Sequence, residues 1–443
     1  MISWRASGER WLMLIPVGLY LSLGLIYLLA VPVGESPDEP GHLQCIEQVA
    51  QYRRLPRIDP WPSGEWWSRT TLLSGHMCYH MPLYYVAAGS LQLAVHSLGQ
   101  SPLHFEFPES NPEWVNGSPS MFVHEGNWQL AETRAVTAVR IFTLAIGLLT
   151  LWATYRVTVA LFPGQPVLAL AAATLVAGWP QFVYMSRAIS NDLLATALSA
   201  AVLVVVLQEG RPSRYPLAAG LASLAFLTKL TAAFTAGIVL AAFALEFWQR
   251  PAQRRELARA GFPMAAIFAG SVALIALVPA LREPLVRGVR AFAGVSPAAS
   301  STAYWLDVLK LTASSGWARF GWMNVAAPAW QAYAWWLIIL GGAVGGLFAL
   351  WRRHPRPSSF LIAILVLWTV AVLAGYLRIN LNRFQPQFRF AFALLPVLGG
   401  LAAGGYRNWL GRRSYLGVGV LALALFFVNL WLIFQLVIPA YAM

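Results

Sequence analysis

The sequence predicts an all-α, polytopic integral membrane protein, and three observations lead to that fold class. Charged residues make up only 11% of the 443 residues and hydrophobic residues 58%, whereas a soluble domain carries about 25% charged residues. Apolar runs of about 20 residues, enough for a helix to cross a bilayer, recur along the whole chain. Arginines concentrate in alternate loops between these runs, a distribution typical of cytoplasmic loops.

Eleven of the apolar runs are predicted to be membrane spans. The first run follows a short basic start with Arg5 and Arg10. No small-residue cleavage site follows it, so the sequence predicts a retained helix rather than a signal peptide. The predicted spans are 11–31, 134–161, 166–184, 191–208, 215–228, 231–247, 262–280, 332–351, 359–377, 391–406 and 415–436.

One further apolar run, 81–98, is long enough to span, and the loop charges decide against it. Without this span the N-terminus is cytoplasmic, and about half of the 31 basic residues fall in short cytoplasmic loops. With it, every later loop changes sides and those arginines face outward, against the positive-inside rule. We therefore expect 81–98 to form a helix that lies at the outer interface or dips into it.

This topology leaves two large extracytoplasmic loops, 32–133 and 281–331, on a single integral membrane domain that covers 1–443. The net charge of +13 is accounted for by the basic cytoplasmic loops, which also meet anionic lipid headgroups. Membrane lipids are therefore expected partners, and nucleic acid is not.

Two adjacent acidic residues lie at the start of the first loop. Segment 40–54 has apolar residues at helical spacing and begins with Pro40, which suits the first helical turn. The sequence thus predicts a short amphipathic helix with Asp38 and Glu39 at its N-terminus. There the helix dipole favours the ionised form of both carboxylates.

Four further polar clusters lie near span ends on the same predicted face. Single residues have ordinary structural explanations: Asp38 and Asp192 as helix caps, Lys229 and Arg389 as interfacial anchors. Those explanations do not account for the gathering of acids, a lysine and arginines on one face. The clusters are 186–192, 228–229, 317–324 and 385–390.

This combination suits the transfer of a group from a lipid phosphate. Arg389 or Lys229 supplies a fixed cation for the donor phosphate, and positive charge also stabilises that phosphate as it leaves. Asp38 supplies a carboxylate that aligns an attacking hydroxyl and accepts its proton late in the reaction.

Several motifs resemble those of the GT-C superfamily of membrane glycosyltransferases, which includes protein O-mannosyltransferases and aminoarabinose transferases. The acidic pair after the first span is one, and segment 80–85, His-Met-Pro-Leu-Tyr-Tyr, resembles a second interfacial motif. More narrowly, the chain resembles a bacterial family of multi-span membrane proteins whose last motif is usually QPQGRY. Phe388 and Phe390 depart from that motif. The matching motifs, in order, are Pro37-Asp38-Glu39-Pro40-x-His42, Asn191-Asp192, Thr228-Lys229 and Gln385-Pro386-Gln387-Phe388-Arg389-Phe390.

The resemblance implies a function and a set of site residues. It implies a glycosyltransferase that moves a sugar from a polyprenyl-phosphate donor to a glycan, lipid or protein acceptor of the cell envelope. The reaction would occur on the extracytoplasmic face of a bacterial cell membrane. Asp38 would be the catalytic base, with Glu39 beside it as a second catalytic residue, and Arg389 a ligand of the donor phosphate. The other implied substrate-binding residues are His42, His80, Asn191, Asp192, Lys229, Gln385 and Gln387.

Two alternative functions stay open at this stage. A polysaccharide polymerase or ligase also uses arginines and outer loops on lipid-linked glycans. A transporter or flippase of such glycans usually shows repeats or broken helices at mid-membrane, and the sequence shows neither. No cofactor follows from the residues. Metal dependence stays open, because some GT-C members need a divalent metal and the histidines here form no HExxH-like pair.

The two cysteines, Cys45 and Cys78, both lie in the first predicted loop. An oxidising extracytoplasmic compartment would favour a disulfide between them. The sequence alone does not show whether the two residues meet the geometry that a disulfide requires. Their pairing is therefore left open. A bond between them would tie the amphipathic helix to the interfacial one.

Overall fold

A computed structural model describes residues 11–57, 76–99, 101–124, 130–410 and 414–441. The basic start and residues 58–75 of the first predicted loop lie outside this part. The described chain is mostly helical, which confirms the all-α class. Its first nine helices are α1 Leu14–Ala30, α2 Glu39–Tyr52, α3 Leu83–Gly99, α4 Leu130–Leu161, α5 Pro166–Ala177, α6 Pro180–Ser186, α7 Asp192–Val206, α8 Arg214–Thr228 and α9 Phe234–Gln249.

The rest of the described chain contains nine further helices and one short hairpin. The helices are α10 Arg254–Leu277, α11 Pro279–Ala293, α12 Thr302–Trp317, α13 Ala329–Trp351, α14 Ser359–Asn382, α15 Leu395–Gly405, α16 Arg407–Leu410, α17 Ser414–Leu432 and α18 Ile438–Tyr441. Strands β1 Arg319–Phe320 and β2 Val325–Ala326 pair antiparallel. Short 3-10 helices cover His76–Tyr79, Pro112–Asn116, Leu230–Ala233, Pro251–Gln253, Pro297–Ser300 and Phe388–Leu394, and a π-helix covers Ile433–Val437.

The predicted spans are all helical, and the polytopic class is confirmed. Among the described residues, seven helices are long and apolar enough to cross a membrane, or eight if a bent pair forms one span. Helices α1 and α7 are apolar but have only 17 and 15 residues, so the count of eleven spans stays a prediction. Helix α3, expected at the interface, packs on α2 with Tyr84 and Tyr85 buried.

The bent pair consists of α5 and α6, whose axes differ by 65°. Pro180 is in the first turn of α6, and a proline lacks the N–H that would continue the helix of α5. Trp179, at the break, is fully buried and lies parallel to Phe388 with ring centroids 6.1 Å apart. The break is therefore packed against the segment that carries Arg389.

Close contacts between helices in the second half of the chain depend on small residues. A Cβ on Gly346 of α13 would lie 2.0 Å from the carbonyl oxygen of Leu401 on α15. Small residues of this kind let helices approach closely in membranes, where packing rather than the hydrophobic effect drives association. Helices α13 and α15 accordingly form a tight pair.

Most of the second predicted loop, 281–331, is helical. Helices α11 and α12 and the hairpin fill it. Helix α11 contains Pro284 and three arginines, so it lacks the long apolar run by which the spans were recognised.

The polar residues form two groups at opposite ends of α7. Asp192 begins the helix, and beyond its C-terminus Arg214 donates a hydrogen bond to Glu246 at 2.7 Å. A 15-residue helix is about 22 Å long, so these groups are well separated. The Asp192 end holds the residues of interest.

Residues 105–122 are held close to the start of α2. The fully buried carboxylate of Glu35 accepts hydrogen bonds from the backbone N–H groups of Met121 and Phe122, each at 3.0 Å. Phe107 and Phe122 pack together with centroids 5.4 Å apart. This loop therefore supports the segment that leads to Asp38.

Candidate active site

A cavity of about 320 Å³ opens at the Asp192 end of α7. Its walls come from the start of α2, the segment before α3, the start of α7, the turn after α8, one side of α11, and the end of α14 with the segment after it. These parts of the chain are far apart in sequence. Six of the residues that the sequence singled out line the cavity together: Asp38, His42, His80, Asp192, Lys229 and Gln385.

Asp38 immediately precedes α2 in an unusual backbone conformation. Its φ of 65° and ψ of 0° lie in the left-handed region, which costs a residue other than glycine about 1 kcal/mol or more, although aspartate tolerates it comparatively well. The side chain makes no capping hydrogen bond to α2. Its Oδ2 instead accepts a hydrogen bond from Nη2 of Arg389. The explanation of Asp38 as a helix cap is therefore wrong.

The surroundings of Asp38 keep it ionised. Burial has the largest single effect and raises the pKa of the carboxyl, but the charge and hydrogen bond of Arg389, together with smaller contributions, lower it by more in total, so the pKa lies below its usual range. The carboxylate is therefore available as a hydrogen-bond acceptor at neutral pH.

Arg389 lies between two carboxylates. Besides its contact with Asp38, its Nη1 is 3.6 Å from Oδ2 of Asp192. The other oxygen of Asp192 pairs with Nζ of Lys229. Both cations also face Phe390, since Cζ of Arg389 and Nζ of Lys229 each lie 5.0 Å from its ring centroid. An aromatic residue at this position thus stabilises both cations through its ring face.

His42 and His80 stack with ring centroids 5.8 Å apart. Nδ1 of His42 lies 2.8 Å from the hydroxyl of Tyr85, which donates its proton to the carbonyl oxygen of Met77. Nδ1 must therefore carry its own proton, which leaves Nε2 as an acceptor. Burial lowers the pKa of His42 to about 4 and that of His80 well below its usual value, so both rings are neutral at pH 7.

Glu39 is turned away from the cavity. Nε and Nη2 of Arg140 donate to its two oxygens at 2.8 and 2.6 Å, and the N–H groups of Gly34 and Ile189 donate at 3.0 and 3.1 Å. The carboxylate is fully buried. Burial has the largest single effect and raises its pKa, but Arg140, Arg187 and the N–H of Ile189 together lower it by more, so the pKa of Glu39 falls below its usual value. This arrangement fixes the position of its neighbour Asp38.

The remaining predicted residues lie near the cavity without lining it. Nε2 of Gln387 donates to Oε1 of Gln385 at 3.2 Å. Asn191 is buried beneath Asp192, and its Nδ2 lies 3.4 Å from the carbonyl oxygen of Thr228. Both residues hold cavity-lining neighbours in place.

Four residues at or near the cavity are not among those predicted from the sequence. Arg140 carried a signal that was not used, because a charge within an apolar span marks a functional or paired residue. Tyr79, Arg287 and Arg383 line the cavity, but nothing in the sequence sets them apart from ordinary loop residues. As for metals, no group of three or more metal-ligating side chains occurs among the described residues, so no ligands can be named.

Residues 126–282 match the sequence model of the dolichyl-phosphate-mannose-protein mannosyltransferase family. No curated protein sequence matches the chain. Among solved structures, ArnT from Cupriavidus metallidurans bound to undecaprenyl phosphate is similar, with 14% identity and a TM-score of 0.54, over 99% of this chain and 74% of ArnT. The archaeal oligosaccharyltransferase AglB from Archaeoglobus fulgidus, in complex with an inhibitory peptide and a dolichol-phosphate, has 13% identity and a TM-score of 0.48. That match covers 96% of this chain, which spans 55% of AglB.

These matches show what the chain is similar to. The sequence model of the mannosyltransferase family matches less than half of the chain, and the fold is similar to that of ArnT. Both findings agree with the resemblance drawn from the motifs.

Proposed function

We propose that this protein is a GT-C-type glycosyltransferase that moves a sugar from a polyprenyl-phosphate donor to a cell-envelope acceptor. The observation that carries the proposal is the ionised Asp38 on the wall of a cavity, paired with the buried cation Arg389. These groups supply a base and a phosphate ligand in one place. The undecaprenyl phosphate bound to ArnT, which shares the fold, supports a lipid phosphate as the donor.

The chemistry follows from these two groups. An acceptor oxygen attacks the anomeric carbon of the sugar while the bond from that carbon to the phosphate oxygen breaks. Asp38 accepts the proton of the acceptor, and the polyprenyl phosphate leaves with the bonding electrons. Arg389 and Lys229 stabilise the charge on the leaving phosphate. A phosphate at Arg389 competes with Asp38 for the guanidinium, so donor binding frees the carboxylate for the acceptor.

The other predicted residues take supporting roles in this proposal. His42, His80 and Gln385 offer hydrogen-bonding groups to the sugar from the cavity wall, and Asp192 orients both cations. Glu39 acts through Arg140 as a positioning residue rather than a catalytic one.

For the topology, we propose eleven spans in one integral domain, a cytoplasmic N-terminus and a cavity that opens on the extracytoplasmic face. The arginine-rich end of α7 to α9, opposite the cavity, supports this orientation by the positive-inside rule. The bend between α5 and α6 gives no support to a transporter, because it is packed among aromatic rings and does not line the cavity. A polymerase or ligase would use the same groups with a glycan acceptor, and a glycan profile of a deletion strain distinguishes these outcomes.

The test compares Asp38→Asn, Arg389→Ala and Arg389→Lys for donor binding and turnover with a polyprenyl-phosphate sugar. We expect Asp38→Asn to bind donor normally and to lose about 10²–10⁴-fold in rate, as for loss of a general base. Arg389→Ala should weaken donor binding as well, by a charge-assisted contact of about 1.5–3 kcal/mol. Arg389→Lys should recover only part of the donor binding, because lysine lacks the planar pair of N–H donors of a guanidinium.

Asp307→Asn is the matched control, since Asp307 is 59% exposed on α12 and lies outside the cavity. Arg389→Ala also leaves Asp38 without its ion-pair partner, so the folding of this variant is checked by thermal melting. If Arg389→Ala does not fold, Arg389→Lys provides the test. Normal turnover in all three variants would mean that this cavity is not the active site. Normal binding in Arg389→Ala with loss in Asp38→Asn would reverse the assigned roles.

A further inference from the structure

Arg187 is a buried cation that the proposed reaction does not use. It belongs to the polar cluster 186–192 that the sequence singled out, and it directly follows the last residue of α6. Its side chain is fully buried and does not line the cavity. Any effect of this arginine on the chemistry must therefore pass through its neighbours in the protein.

The surroundings of Arg187 compensate its charge only in part. Its Nε and Nη2 make no hydrogen bond within the part of the chain that the structure describes. Its Cζ lies 4.3 Å from the ring centroid of Tyr184. The carboxylate of Glu39 attracts it, but Arg140 already holds both oxygens of that group. A buried charge with so few partners destabilises a folded protein, so stability does not account for an arginine at this position.

The hydrogen bond that Arg187 does make reaches the segment that carries Asp38. Its Nη1 donates to Oγ of Ser36 at 2.6 Å, and Ser36 is also fully buried. The carbonyl oxygen of Ser36 accepts from the backbone N–H of Glu39 at 3.1 Å, which closes a turn with Pro37 and Asp38 at its centre. A displacement of Ser36 therefore displaces Asp38 as well.

A turn of this kind needs support from outside. Pro37 suits its second position, but the third position of a type II turn requires a positive φ and is normally occupied by glycine. Asp38 occupies that position with a φ of 65°, and such strained conformations persist where neighbouring contacts hold them. The last turn of α6 supplies two contacts: the hydroxyl of Tyr184 donates to the carbonyl oxygen of Glu35 at 3.2 Å, and Arg187 holds the next residue.

We propose that Arg187 is a positioning residue for Asp38. Its hydrogen bond to Ser36 holds the turn in the conformation that directs the carboxylate to Arg389 and the cavity. This inference rests on the function proposed above, in which Asp38 is the base, and adds a residue that touches neither substrate. Loss of the contact lowers the rate because a general base must lie within hydrogen-bond reach of the proton that it accepts.

The test measures turnover, donor binding and melting temperature of the full-length protein in nanodiscs. Titration with a polyprenyl-phosphate sugar counts the donor-binding sites, so turnover is expressed per site and misfolded protein does not affect it. Arg187→Met removes the charge and the hydrogen bond. We expect its rate per site to fall about 10- to 100-fold, since a misplacement of about 1 Å can cost a factor of about 100. Donor Kd should stay within about twofold of the parent, and the melting temperature should stay equal or rise, because a buried charge with few partners is removed.

Ser36→Ala removes the other partner of the same hydrogen bond. It should lower the rate per site by about threefold or more. The double variant with Arg187→Met should be no slower than Arg187→Met alone, because both changes remove one contact. Arg187→Lys keeps a donor for Ser36 and should recover part of the rate. If Arg187→Met does not fold, Ser36→Ala and Arg187→Lys decide the question, and losses that multiply in the double variant overturn the route through Ser36.

Arg214→Met is the matched control. Arg214 is also a buried arginine, but it pairs with Glu246 at the end of α7 opposite the cavity. Its loss should lower the melting temperature, because a buried carboxylate loses this partner, and should leave the rate per site unchanged. A normal rate per site in Arg187→Met, an equal loss of rate in Arg214→Met, or a loss of donor affinity as large as the loss of rate overturns this inference and leaves the proposed function standing. Normal turnover in Asp38→Asn counts instead against the proposed function.

Discussion

Among single residues, the two stacked histidines show how burial fixes a protonation state. His42 is 2% exposed and uses Nδ1–H to reach Tyr85, so its ring is held in one tautomer. Its pKa of about 4 lies well below that of a histidine in an unfolded chain, about 6.5. Between these two values the unfolded chain binds a proton that the folded protein does not.

The first prediction at this scale concerns stability against pH. Because the folded pKa is the lower one, stability should fall as pH decreases from about 6.5 to about 4, by on the order of 3 kcal/mol for a fully shifted histidine. His42→Gln removes this proton uptake. The melting temperature of the variant, measured from pH 7 to pH 4.5, should therefore decrease less than that of the parent.

His354→Gln, a change of an exposed histidine, controls for the loss of any imidazole. It should follow the pH dependence of the parent. If His42→Gln and the parent lose stability in parallel, the ring of His42 is not kept neutral by burial.

Among the elements, α2 and the 3-10 helix His76–Tyr79 are joined covalently. The structure contains the Cys45–Cys78 disulfide that the sequence left open. Cys78 lies two residues before His80, and Cys45 lies on the helix that carries His42. The bond therefore links the two segments whose histidines stack at the cavity.

The second prediction follows from that link. The double variant Cys45→Ala/Cys78→Ala should lose about 2–4 kcal/mol of stability, the usual effect of a native disulfide. The melting temperature should fall accordingly. Turnover with a polyprenyl-phosphate sugar should fall as well, because His80 is no longer tied to α2.

Reductant provides the control for the disulfide. Dithiothreitol should lower the melting temperature of the parent and have no effect on the double variant. Equal melting temperatures of parent and double variant without reductant would mean that packing alone holds the two segments together.

At the scale of the whole molecule, charge is divided between the two ends of the helices. The cavity end holds the ion pairs of Asp38 and Asp192, and the opposite end holds Arg214 with Glu246. The loop arginines of the second end predict which side of the membrane it faces.

The third prediction tests that orientation with single cysteines in a variant that lacks Cys45 and Cys78. Arg254→Cys marks the end opposite the cavity, and Glu113→Cys marks the loop near it. Both positions are exposed. In intact cells, an impermeant thiol reagent should label position 113 and leave position 254 unlabelled.

Permeabilised cells give the control, since both positions should then react. Labelling of 254 but not 113 in intact cells would contradict the topology and, with it, an active face outside the cytoplasm.

The sequence by itself determined the class of the fold and the end of the molecule at which the polar motifs lie. Apolar length and the distribution of arginines are properties of short segments, so they can be read without knowing how the segments pack. For the same reason, the motifs containing Asp38, Asp192, Lys229 and Arg389 could be grouped on one predicted face, and the structure brings these four residues together.

Only the tertiary structure decided how those residues are used. Asp38 turns to Arg389 while its neighbour Glu39 turns to Arg140, a difference that adjacent acidic residues in a sequence do not reveal. Arg287 and Arg383 reach the cavity only because α11 rests on Leu230 and α14 ends beside it. Such pairings depend on contacts between helices that are distant in the chain, and local hydropathy and charge carry no information about those contacts.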